Sequence, residues 1–143
     1  MNISTRNKLS GTVKEIHTGA VNDEIVIAVS PSLSVVAIIT DNSTQSLGLK
    51  VGAKVVALIK ASSIALATNV DDLLFSARNQ CKGSVTALHK GAVNSEVQMD
   101  AGQGVTLSAV ITNTSVDELG IAVGSAVTAI FKASSVIVAA KKA

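Results

Sequence analysis

The chain has 143 residues, of which 48% are hydrophobic, 15% charged and 1% aromatic, with a net charge of +2 and one cysteine. Val, Ile and Leu in this quantity exclude intrinsic disorder, and a single Cys excludes a disulfide scaffold. Apolar runs such as residues 35–39 and 55–59 fall far short of the roughly 18 that a membrane span needs.

In chain order, loose alternation over Leu9–Ile16 predicts a first strand and Glu24–Val29 a second. Ser30, Pro31 and Ser32 form a turn before a β-branched third strand, Val35–Thr40. Residues 40–48 carry helix start and stop signals, with Thr40 or Asp41 as cap and Gly48 closing. Val51 and Gly52 turn the chain into a strand at Val55–Lys60, and Ile64–Ala67 predicts a last one. A short linker near residues 68–74 follows, carrying Asn69, Asp71 and Asp72.

The same pattern then returns at an offset of 72 residues, with 26 identities in the 64 positions from residue 4 to 67 and no gap. Chance does not produce this, so the chain is two tandem copies of one module, 1–70 and 71–143. In the second copy Val116–Leu119 makes a stronger helix. The order β-β-β-α-β-β at about seventy residues predicts a mainly β fold of two small OB-like barrels. Domains of this size bury only about 60% of their unfolded surface. The apolar excess is therefore expected to be buried between modules and between chains, as a homo-oligomer.

Nothing in the sequence assembles a reaction. Cys81 stands where the first copy has Leu9 and reads as a core residue, while His17 and His89 are single equivalent histidines. Glu24 and Glu96 are lone carboxylates, and no chelating pair or phosphate-binding Gly-rich loop is present. The expectation is a non-enzyme with no cofactor and no direct protein–metal ligands. A weak positive charge and two Phe supply neither a basic patch nor stacking platforms, so no nucleic acid is expected as a partner. The polar segment from Met1 to Asn7 lacks a signal-peptide core, which makes the cytoplasm the expected location, with no membrane partner.

What does repeat is a set of hydrogen-bond donors. Ser4 and Arg6 share one face of an extended segment, as do Lys60 and Ser62, and Thr40 and Ser43 open the predicted helix. Their counterparts are Ser76, Arg78, Lys132, Ser134, Thr112 and Ser115. Two cations, several hydroxyls and backbone N–H groups at a helix start describe a receptor for a tetrahedral oxyanion. Each element also has a plainer reading: Thr40 as a helix cap, Ser4 and Arg6 as a solvated arm, the lysines as strand-end charges. Gly19, Ala20, Val21 and Asn22, with Gly91, Ala92, Val93 and Asn94, form the second repeated feature. Turn chemistry through positive φ at Gly and Asn accounts for it, and so does a second anion site lined by backbone N–H groups.

Together, Ser-Thr/Ala-Arg-Asn, Gly-Ala-Val-Asn, Thr-x-x-Ser before Leu-Gly, and Lys-Ala-Ser-Ser resemble the Mop family, the molbindins, over nearly the whole chain and twice over. The resemblance implies two OB-like Mop modules of the TOBE type in a homotrimer. It implies binding of molybdate and tungstate for intracellular molybdenum storage, with an anion-sensing module read by a protein partner as the alternative. By motif, one side of each interface site would be Thr40, Ser43, Lys60 and the Ala61 backbone, or Thr112, Ser115, Lys132 and the Ala133 backbone. Ser4 and Arg6, or Ser76 and Arg78, of a different module would face them. Axial sites would fall at 19–22 and 91–94.

Overall fold

The computed structural model describes residues 1–142. The elements of the first copy are β1 (Asn7–Thr18), β2 (Asn22–Ser30), β3 (Leu33–Thr40), α1 (Asp41–Ser46), β4 (Lys54–Ile59), a 3₁₀ turn at Ala61–Ser63 and β5 (Ala65–Ala67). The second copy repeats them as β6 (Asn79–Lys90), β7 (Asn94–Asp100), β8 (Thr106–Thr112), α2 (Asn113–Leu119), β9 (Ala126–Phe131), a 3₁₀ turn at Ala133–Ser135 and β10 (Ile137–Ala140). The expected β-β-β-α-β-β order is therefore present in each copy.

The membership of the sheets is not that of the copies. One five-stranded sheet runs β10-β4-β1-β2-β3 and the other β5-β9-β6-β7-β8. The fifth strand of each sheet thus belongs to the other copy, with Ile137 opposite Leu58 and Leu66 opposite Ala129. The compact units are cut accordingly, and not at residue 70. Unit 1 is Met1–Ile59 with the segment from Lys132 onward, and unit 2 is Lys60–Phe131. Each sheet coils until its outer strands meet, β10 against β3 and β5 against β8.

The coiling depends on a bend in the longest strand. The first half of β1 pairs with β4, Asn7 opposite Ile59, and the second half with β2, Thr18 opposite Asp23. Register slips between Val13 and Glu15, a bulge that sharpens the local twist. A Cβ built on Gly11, just before this point, would lie 2.5 Å from the Ala28 carbonyl oxygen and 2.7 Å from Ile27 Cγ2. Gly83 repeats the arrangement in β6 against the Asp100 carbonyl and the Met99 methyl. Glycine in a strand at a barrel corner allows this backbone approach.

Each strand buries one face. In unit 1, Ile25, Ile27, Val35, Ala37 and Ile59 are fully enclosed; in unit 2, Val97, Leu107, Ala129 and Phe131 are nearly so. Burial of a Val, Leu, Ile or Phe side chain stabilises by about 1.5–3 kcal/mol, and these mostly aliphatic residues supply the cohesion of each unit. No described helix is long and apolar enough to cross a membrane. Cys81 lies in the unit 2 core opposite Ala129, as its equivalence to Leu9 predicted. Burial pushes its thiol up from an ordinary 9.0 to about 11.

Two outcomes follow from the packing. Gly11→Ala is expected to lower stability by about 1–3 kcal/mol, the usual cost of overpacking, measured by urea unfolding of the full chain. Because the folded-state pKa of Cys81 is raised, the protonated form favours the fold. That contribution is complete below pH 9 and declines as pH rises towards 11. A disulfide reagent at pH 8 should therefore label Cys81 only after urea unfolding; labelling of the native chain at the rate of a free thiol would contradict this.

Candidate functional site

In unit 1, β2 and β3 run side by side to the pair Asn22 and Thr40, where β3 ends and α1 begins. Thr40 is the helix cap: its Oγ1 accepts from Ser43 N–H at 3.1 Å and donates to Ser43 Oγ at 2.8 Å. The capping role is thus real, and it leaves the Ser43 hydroxyl proton as the group that can turn to a ligand. Unit 2 reproduces the geometry with Thr112 and Ser115 at the same two distances.

The 3₁₀ turns complete these clusters, with a correction to the expected grouping. Within unit 1, Thr40 and Ser43 are joined by a turn of the other copy, while Lys60 and Ala61 belong to unit 2. β3 packs instead against the turn Ala133–Ser135, and β8 packs against the turn Ala61–Ser63. The physical reason is the strand exchange: the chain leaving β4 passes through Lys60 into β5, which pairs with β9. In unit 1, Asn22, Thr40, Asn42, Ser43 and Ser134 line a cleft of about 650 Å³ whose apolar wall includes Ile39 and Val136. No carboxylate lines it. Lys132 and Lys60 stand exposed at the N-terminal ends of the two turns, while Ala133 and Ala61 are buried. Exposed Ser134 and Ser62 follow them.

Ser4 and Arg6 do not line the cleft. They precede β1 on its exposed side, alternating with buried Thr5 and Asn7. Asn7 fixes this alternation, since its side-chain amide donates to the Ile59 carbonyl at 3.1 Å. Ser76 and Arg78 are exposed in the same way before buried Asn79. The expected common face of each Ser/Arg pair is therefore present, at a different place from the Thr/Ser cluster of its unit.

The Gly-Ala-Val-Asn turns also differ from expectation in one respect. Neither Gly19 nor Asn22, nor Gly91 nor Asn94, adopts positive φ. Glycine is needed for close approach instead: a Cβ on Gly19 would strike the Asn22 carbonyl oxygen, and on Gly91 it would lie 2.8 Å from that of Asn94. Ala20, Val21, Ala92 and Val93 are exposed, Val21 at 71% and Val93 at 70%. Sequence reasoning missed the residues behind these turns, Asp23 and Ser95, each 1% exposed. The signal was available, as the offset comparison exchanges a carboxylate for a hydroxyl there. His17 is exposed beside Glu15 at 3.2 Å, and among the described residues no three His, Cys, Asp or Glu side chains gather to hold a metal.

Hydroxyls and side-chain amides lining a carboxylate-free cleft, with Lys132 preceding the turn that supplies Ser134, can bind a small polyoxygenated anion. They include no nucleophile activated by a base. The comparisons with known proteins agree in kind. The profile of the TOBE domain matches residues 3–66 and again 76–138. The chain is 45% identical over 139 residues to the molybdenum-pterin-binding protein MopA of Rhodobacter capsulatus, covering 97% of this chain and 52% of that protein. It is 36% identical over 142 residues to the molybdenum transport protein ModE of Herbaspirillum seropedicae, covering 99% of this chain and 53% of that one. The chain thus spans about half the length of these relatives. Among solved structures it resembles ModG, described as a cytoplasmic molybdate-binding protein and crystallised with molybdate bound. The TM-score is 0.95 at 38% identity, over 99% of this chain and all of that one.

Proposed function

The chain belongs to the TOBE-domain family, and from that premise we propose that it binds molybdate reversibly, as an intracellular store. Tungstate is a chemically similar second ligand. The observation that carries this reading is the duplicated cluster of neutral donors with one lysine. Thr40 and Ser43 stand with the turn that follows Lys132, and Thr112 and Ser115 with the turn that follows Lys60. A dianion taken from water must recover its hydration from donors and positive charge. The four hydroxyls and two amides of the cleft, with Lys132 preceding the turn that carries Ser134, supply part of that.

The remainder comes from Ser4 and Arg6, or Ser76 and Arg78, of a second copy in a homotrimer. Arg can fork onto two oxygens of a tetrahedral anion, whereas Lys acts as a point charge. Exposed valines at equivalent positions, Val21 and Val93, Val51 and Val123, each 64–71% exposed, support burial against further copies. Selection against sulfate then rests on cavity size. The resemblance to ModG supports cytoplasmic binding without chemistry.

Native mass spectrometry with molybdate, and sulfate as control, tests the reading. A trimer gaining several molybdates and no sulfate is expected; an assembly indifferent to molybdate would overturn it. Arg6→Ala should weaken binding by about tenfold or more, the scale of a charged hydrogen bond, and unchanged affinity would remove Arg6 from the site. The crossed grouping has its own check in a double-mutant cycle. Thr40→Val and Lys132→Ala should be strongly non-additive in molybdate affinity, while Thr40→Val and Lys60→Ala should add.

A further inference from the structure

The two donor clusters sit in opposite electrostatic settings. Unit 1 holds eight Lys and Arg against four Asp and Glu, and unit 2 holds four against six. Part of the excess in unit 1 lies beside the cleft of Thr40 and Ser43. A second cleft of about 650 Å³ shares Ser46 and Leu47 with it and is lined by Lys54, Lys141 and Lys142, with no carboxylate. Lys54 opens β4, and the other two lysines follow β10. All three are exposed, and among the described residues none is paired with a carboxylate. Unit 2 inverts this setting at the common offset. Lys54, Lys141 and Lys142 become Ala126, Asn69 and Val70, while the helix residues Gln45 and Ser46 become Asp117 and Glu118. Lys90 neutralises Asp117 at 3.1 Å, but exposed Glu118 has no such partner among the described residues. Packing does not demand a lysine in unit 1, since Lys54 and Ala126 are both exposed at the start of equivalent strands.

We propose that Lys54, Lys141 and Lys142 draw the oxyanion electrostatically to the cleft of Thr40 and Ser43, so that this cleft fills before its counterpart at Thr112 and Ser115. The proposal rests on the oxyanion reading above and adds which cluster loads first and through which residues. A cleft lined by one sign of charge raises the local concentration of a counter-ion by about tenfold or more at low salt. The attraction needs no fixed contact. Lysine ammonium groups are compact, strongly hydrated point charges on flexible stems, suited to gathering an anion rather than to holding it in one orientation. Holding falls to the hydroxyls and amides of the adjoining cleft. At α2 the same positions supply no cation, and Glu118 opposes the approach of a dianion. Because the lysines are exposed, salt screens their field: the Debye length falls from about 30 Å at 0.01 M to about 8 Å at 0.15 M. The two clusters therefore differ most at low ionic strength and converge as salt rises.

Equilibrium dialysis of the full chain against sodium molybdate, at about 0.01 M and about 0.15 M sodium chloride, tests this. Two classes of site are expected at low salt, the tighter losing about tenfold in affinity as salt rises and the weaker losing less. The variant Lys54→Gln, Lys141→Gln, Lys142→Gln, altered only at exposed positions, should keep the number of sites and lose the advantage of the tighter class. The converse variant, Glu118→Ser with Ala126→Lys, should strengthen the weaker class at low salt. A triple variant with the affinities and salt dependence of the unaltered chain would overturn the proposal while leaving molybdate binding intact. No molybdate retained by the unaltered chain at either salt would overturn the binding function and this proposal together.

Discussion

Val138 of β10 lies opposite Ala57 of β4, and Leu66 of β5 opposite Ala129 of β9. These two short ladders govern the rest of the molecule. Each brings a 3₁₀ turn, carrying its Lys-Ala-Ser sequence, to the sheet of the other copy. Each closes a coiled sheet whose outer edge would otherwise expose unpaired N–H and C=O groups. Had β5 folded back onto β4, Lys60 and Ser62 would flank Thr40 and Ser43. The exchange instead makes each donor cluster a joint product of both copies.

The barrel bend and the donor clusters are connected through the same strands. Gly11 and Gly83 let β1 and β6 serve two neighbours each, and the strand they release towards β2 or β7 leads into the Gly-Ala-Val-Asn turn. That turn is bonded in both units to the first residue of the short helix, through Val21 and Asp41 or Val93 and Asn113. The helix cap and the turn are therefore one backbone assembly. A change at positions 41 or 113 acts on both the turn and the helix start.

Much of this was legible from residues alone, for reasons that can be located. The strands announced themselves because each has one buried face, as in β2, where Asp23, Ile25 and Ile27 alternate with more exposed neighbours. The helix was marked by Thr40 and Gly48. The partner of the last strand was not legible: residues 65–67 and 137–139 are short, apolar and of like pattern, so either sheet would accept either. The glycines of the turns were read as positive-φ positions, whereas the backbone requires them for lack of room. Gly11 and Gly83 repeat at the common offset, but nothing local distinguishes a corner from an ordinary strand residue. The Ser4 and Arg6 pair was readable by alternation, and buried Asn7 is what enforces it.

The exchange also orders events during synthesis. β4 is complete at residue 59, yet its partner β10 begins at residue 137. Unit 1 therefore waits through the translation of all of unit 2 with one flank of its sheet unpaired. Unit 2 contains β5 to β9 consecutively and has its full set of strands as soon as Phe131 is out. Contacts so distant along the chain form late, since a long loop must close before they contribute. The first copy is thus the second to complete its sheet, and β4 keeps an open edge while residues 60–136 are being made.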